Sequence, residues 1–208
     1  MKKYLSYCLM ATGVWLGLGT AGHAIPGQSV DDVETWMKAH PTLRATARER
    51  LLVNRVDTPA RRFSFQATVF PAGGYANTSD EPAILSRDID RSTVRTEKFT
   101  LIDMVDGVSV ERLEESLRLI YGPDVYADYR RALPVYSYPE SSPSSLLRPG
   151  RDLVRGELRE GENLAYWLEL TPNPDGTVHI GTISVLLRED LASLRSRLGD
   201  DTSSDDTP

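Results

Sequence analysis

The sequence predicts an α+β protein: two tandem modules, each a helix packed on an antiparallel sheet of three to four strands. Three observations carry that expectation. One stretch is written twice, as Gly27-Gln28-Ser29-Val30-Asp31-Asp32-Val33-Glu34-Thr35-Trp36-Met37-Lys38 and, 80 residues on, as Gly107-Val108-Ser109-Val110-Glu111-Arg112-Leu113-Glu114-Glu115-Ser116-Leu117-Arg118. Each copy is followed by segments rich in β-branched and aromatic residues and punctuated by turns. The final strand of each module begins at Val94 and at Thr177, 83 residues apart and close to the helix offset.

The chain opens with an export signal, Met1 to Ala24. Lys2 and Lys3 precede a mainly apolar run from Leu5 to Leu18, and small residues surround a cut after Ala24. That run is short for a membrane span, which needs about 20 residues. Leu5-Ser6-Tyr7-Cys8 lies before the apolar run instead of after it, which argues against a lipidation box. Residues 25–105 form the first module. Ser29 is the N-cap, Asp31 favours the positive helix end, and Val30, Val33 and Met37 share one face. Pro41 ends the helix, and Pro41 to Glu49 fits a loop or a short second helix. Leu51 to Val56 and Arg62 to Phe70 read as a hairpin, Pro71 to Ile89 as a loop, and Val94 to Val105 as the third strand.

Residues 106–198 form the second module. Ser109 caps a helix that ends at Gly122-Pro123, and Asp124 to Arg131 reads as a short second helix. Pro134 to Arg151 reads as a loop because of its prolines and serines. Leu153 to Arg159 and Leu164 to Leu170 form a hairpin, Thr177 to Leu187 is the last strand, and Asp190 to Leu198 closes the chain. Residues 199–208, with four aspartates and no aliphatic side chain, read as a disordered acidic tail.

Charge and cysteine usage bound the function. Removing the 24-residue signal takes two lysines and no acids, so the net charge moves from −6 to −8. That balance argues against nucleic acid or an anionic membrane surface as partner. The one cysteine, Cys8, lies in the signal, so the mature chain has no disulfide and no thiolate chemistry. No later apolar run is long enough to cross a bilayer.

The residues Ile25-Pro26-Gly27-Gln28-Ser29, then Val33, Trp36-Met37 and Pro41, resemble the helix motif of the SmpA/OmlA-type outer-membrane lipoproteins. The same motif occurs in the tandem-repeat β-lactamase inhibitor proteins. Gly107, Ser109, Leu113 and Gly122-Pro123 match it a second time. The resemblance implies a fold and a habit of protein binding. It carries over no partner or contact residue, and this chain lacks both the lipidated cysteine of the first family and the disulfides of the second.

No catalytic motif stands out. His40 sits at a helix end, where the dipole favours a cation, and His179 lies in a strand. There is no Gly-x-Ser-x-Gly elbow, no phosphate loop, and no His pair spaced for zinc. Asp88-Ile89-Asp90 lacks the glycine and distal glutamate of a calcium loop. No cofactor or metal is expected. The sharper signal is aromatic. Tyr121, Tyr126, Tyr129, Tyr136 and Tyr138 cluster with Arg130, and Trp167 takes the polar side of a strand whose apolar side carries Leu164, Tyr166, Leu168 and Leu170. Tyr, Trp and Arg dominate binding hot spots. The expected partner-binding residues are therefore Tyr126, Tyr129, Arg130, Tyr136, Tyr138 and Trp167. The expected function is non-enzymatic binding of another exported or envelope protein, in the periplasm or outside the cell. The rivals are a secreted hydrolase with an unrecognised site and a periplasmic carrier of a small ligand.

Overall fold

A computed structural model describes residues 26–73, 90–138, 154–173 and 175–203. The expected export signal, most of the two expected loops and the final residues lie outside the described residues. The elements run α1 (Val30–Ala39), β1 (Leu52–Thr58), β2 (Arg61–Thr68), β3 (Thr96–Asp103), α2 (Val110–Arg131), β4 (Leu133–Tyr138), β5 (Arg155–Glu160), β6 (Leu164–Pro172), β7 (Val178–Leu187) and α3 (Leu191–Ser203).

The protein is α+β with an antiparallel sheet, as expected, but the strands form one sheet. Its seven strands lie in the order β1-β2-β3-β7-β6-β5-β4. The junction is the antiparallel ladder of β3 and β7, which runs from Thr96↔Leu186 to Ile102↔Ile180.

Both repeated stretches are helices capped as their sequence dictates. Ser29 accepts from the Asp32 amide at 3.2 Å and Ser109 from the Arg112 amide at 3.3 Å. Gly27 and Gly107 take positive φ, 104° and 75°, at the entries. α2 bends at Gly122, where φ is 81° and ψ is −176°, so that the expected helix and its short successor run on as one kinked element. No helix forms over residues 41–49. Arg44 turns the chain at φ 45°, and the Thr46 amide and hydroxyl both donate to Glu49 at 3.0 Å, closing a turn.

α1 and α2 cover one face of the sheet. Val33, Met37, Leu113 and Leu117 are fully buried against Phe65, Phe99, Tyr166 and Ile183 in a single core. Burying one such aliphatic side chain contributes roughly 2 kcal/mol. Trp36 bridges the helices, its ring centroid 5.8 Å from Phe65 and 6.2 Å from Tyr121. α3 lies on the other face, where Leu191 and Leu194 bury against Leu158, Ala165 and Leu186. Arg95 holds it there by two bonds to Asp190, at 2.6 and 3.0 Å.

Three further expectations need correction. β4 occupies the start of the expected loop after Pro134; an edge strand tolerates a proline that a central strand would not. The closing helix runs to Ser203, five residues past Leu198 and into the expected acidic tail. His40 is not a cation stabilised by the helix end. Its Nδ1 accepts from the Thr42 and Leu43 amides, so Nε2 carries the proton and donates to the Ile120 carbonyl at 3.0 Å. Burial lowers its pKa and keeps the ring neutral.

Polar groups beneath the helices are of two kinds. Asp103 is sealed by its own partners near the surface: it accepts from the Asp106 and Val105 amides and from Arg112 at 2.8 Å, and Arg61 pairs with it at 3.2 Å. These bonds, led by the Asp106 amide, hold its pKa well below the carboxylate range. Glu97 is the opposite case. It is 0% exposed, and among the described residues neither its carboxyl oxygens nor the Tyr121 hydroxyl has a hydrogen-bond partner. Burial pushes its pKa up to about 8; the Tyr121 hydroxyl pulls slightly the other way, at a geometry short of a hydrogen bond.

The folded chain therefore keeps a proton on Glu97 between about 4.5 and about 8, where the unfolded chain has released it. This group's stability is fully present below the lower value and is lost as pH rises toward the upper one. Denaturant unfolding at pH 5 to 9 should show the wild type losing stability relative to Glu97→Gln; curves that stay parallel refute the buried neutral acid.

Candidate functional site

β6 alternates strictly. Tyr166 and Leu168 are buried on the helix-covered face, and Trp167 and Glu169 turn to the other. The ladders then align one row of side chains across all seven strands of that second face: Asn54, Ser64, Thr100, Thr182, Glu169, Gly156 and Tyr138. A parallel row holds Leu52, Gln66, Lys98, Ser184, Trp167, Leu158 and Tyr136. Asn54, Gln66 and Lys98 are exposed, and Ser64, Thr100 and Thr182 are half-buried. Thr100 and Thr182 meet hydroxyl to hydroxyl at 3.1 Å, on the junction between β3 and β7.

At one end of this face a polar chain is fixed. The Trp167 Nε1 donates to the Tyr138 hydroxyl at 2.8 Å, and that hydroxyl donates to Glu169 at 2.6 Å. Tyr138 on β4 reaches Glu169 on β6 only by laying its ring across β5. Gly156 makes this possible: a Cβ there would stand 2.0 Å from the Tyr138 ring. Burial raises the Glu169 pKa, while the Tyr138 bond and the Lys98 charge lower it.

The six residues expected from the sequence divide between the two faces. Tyr136, Tyr138 and Trp167 share the second face, although Tyr136 also donates to the Leu198 carbonyl of α3 at 3.2 Å. Tyr126, Tyr129 and Arg130 lie on α2, over the other face. Arg130 is exposed and pairs with Glu114 at 3.3 Å. Tyr126 is half-buried and stacks on Tyr129, 6.5 Å between centroids. Tyr129 must be removed from any partner surface. It is 0% exposed, packs edge-on against Tyr166 at 5.3 Å, and carries the Arg159 guanidinium over its ring at 4.8 Å.

Glu169, Lys98, Thr100 and Thr182 were not picked out by the sequence. Their signal was the polar member of each alternating strand, but only the pairing of β3 with β7 brings them side by side. Among the described residues, no three His, Cys, Asp or Glu side chains converge as metal ligands would. Asp90 is occupied locally: it accepts from Ser92 and Thr93, which hold its pKa down at about 2. Asp88 lies outside the described residues. No described helix is long and apolar enough to cross a membrane.

Comparison with known proteins adds no kinship. No family model, no curated protein and no solved structure matches the chain.

Two substitutions separate scaffold from surface. Tyr129→Ala should cost about 3–5 kcal/mol in denaturant unfolding, as removal of a core aromatic does. Tyr138→Phe leaves the Trp167 donor without its acceptor and Glu169 without its donor, and should cost about 1–3 kcal/mol.

Proposed function

We propose that this is an exported, non-enzymatic binding protein of the cell envelope, whose partner is another protein seated on the open part of the sheet's second face. One observation carries the reading. A sheet of this width spans about 29 Å, whereas one helix covers about 10 Å. α3 packs over Leu158, Ala165 and Leu186, on the β5-β6-β7 side. Toward β1, β2 and β3 that face carries the exposed polar residues Asn54, Arg62, Gln66 and Lys98, with Leu52, Val56 and Ile102 as its apolar members. Such a face, with an apolar flank at Trp167 and fixed polar groups at Tyr138 and Glu169, has the composition of a wet, specific protein interface.

We also read the chain as a duplication. The two glycine entries, the two serine caps and the offset of 80 residues support it. So does the symmetric outcome, in which the last strand of each half sits at the centre of the sheet. His40 and Ile120, which occupy equivalent places in the two copies, touch each other. The export signal and the protein-binding habit implied by the SmpA/OmlA and inhibitor resemblance point the same way.

The rivals have less behind them. Both ring nitrogens of His40 are occupied, which removes it as a general base. His179 donates from Nδ1 to the Asp103 carbonyl at 2.9 Å and keeps Nε2 as its basic atom, so the hydrolase reading rests on His179 alone of the two histidines. The space between helices and sheet is filled by Phe65, Tyr121 and Tyr166, which weighs against a carrier.

The test is recovery of a partner from host envelope extract. Lys98→Glu combined with Gln66→Arg, both exposed on that face, should keep the wild-type melting temperature and lose the partner. Recovery at wild-type levels by the double variant moves the site elsewhere; no partner for the wild type ends the proposal.

A further inference from the structure

The two edges of the sheet are built differently. β4 carries Pro134 and an irregularity between Pro134 and Tyr136, devices that stop an edge from pairing with another strand. β1 runs regularly from Leu52 to Val56 without a proline, and its irregularity comes only after Val56. The Ala67 amide donates to the Leu51 carbonyl, which fixes which residues of β1 are bonded to β2. By alternation, Val53 and Arg55 point their backbone groups at β2, while Leu52, Asn54 and Val56 point theirs at the free edge. The same three residues turn their side chains to the open face of the sheet. Leu52 is 45% and Val56 65% exposed, two of the large apolar side chains left at the surface.

We infer that β1 pairs antiparallel with β1 of a second copy of this chain, about a twofold axis through Asn54. In that register Asn54 meets Asn54, and Leu52 of each copy meets Val56 of the other. The outward amides and carbonyls of all three residues then form one ladder, and both exposed apolar side chains are covered by their counterparts. A contact that is its own complement is what a closed dimer requires. In that register Asp57 of one copy stands opposite Leu51 of the other, three residues from Arg48, and the exposed Arg62 lies beside Val56 at the same end. The Asn54 carbonyl accepts from Arg55 Nη1 at 3.0 Å and retains a second lone pair for the ladder. The inference concerns the backbone edge of β1, whereas the partner proposed above sits on the face; Leu52, Asn54 and Val56 border both.

Sedimentation of the full chain over a range of micromolar concentrations tests it, together with hydrogen exchange. The expected result is the mass of two chains, falling to one on dilution, with the Leu52, Asn54 and Val56 amides losing protection in step. Asn54→Pro removes an outward amide and leaves the bonds to β2 in place, and Val56→Lys sets a charge where an apolar pair should form. Each should keep the wild-type melting temperature and weaken self-association at least about tenfold. If Asn54→Pro fails to fold, Val56→Lys and the exchange data decide. A wild type that is monomeric at every concentration overturns the inference. So does a dimer that survives both substitutions, or an edge that takes up an unrelated extended peptide while the chain stays single.

Discussion

The width of the sheet is the constraint on which the other features depend. Strands sit about 4.8 Å apart and must bury at least one side to be stable. Seven of them make a surface too broad for any one helix. The first face is covered by two helices, and α2 reaches far enough only because it bends at Gly122. Its first segment packs Leu113 against the centre, and its second carries Tyr129 out over β6. Gly181, at the centre, is what lets α2 come so close: a Cβ there would stand 2.7 Å from Val108 and 2.8 Å from Leu113. The second face has one helix to share, and so remains partly open to solvent among the described residues.

This difference explains where the polar groups went. Under the double layer, Glu97 is fully buried and among the described residues has no hydrogen-bond partner, and the chain tolerates it by keeping it protonated. On the open side, Glu169 is given a tyrosine hydroxyl and a nearby lysine, and the tyrosine in turn serves Trp167. The Asp103 cluster stands where β2, β3 and α2 converge, and its carboxylate accepts from two amides and from Arg112 with Arg61 alongside as an ion pair. A buried polar group with all its bonds satisfied fixes a geometry; one without them stores a cost.

Much of the architecture was legible because it is local. A serine cap, an acid in the first turn and apolar residues on one helical face describe α1 and α2 before any tertiary contact exists. Alternation placed Trp167 and Tyr166 on opposite sides of β6 for the same reason. What was not legible depends on distant partners. Pro134 argued for a loop, and only the neighbouring β5 turns that segment into an edge strand. Arg44 adopts its unusual turn because Leu43 is pulled into the core. Tyr129 looks like a contact residue by type, and its burial is decided by Tyr166 and Arg159, more than twenty-five residues away in sequence. The merging of both halves into one sheet is the extreme case, since no local pattern states which strand pairs with β3.

The strand order has a consequence for how the protein is made. The strand at the middle of the sheet, β7, is the last of the described strands to be synthesised, so β1, β2 and β3 wait with an unfilled inner flank until it emerges. A message that stops short of residue 178 leaves two pieces, each with a bare hydrophobic seam along Phe99 or Leu168 and no strand to join them. Such products are not smaller versions of the fold. They are raw edges, suited to aggregation or to proteolysis, and only a chain that includes β7 can close its own centre.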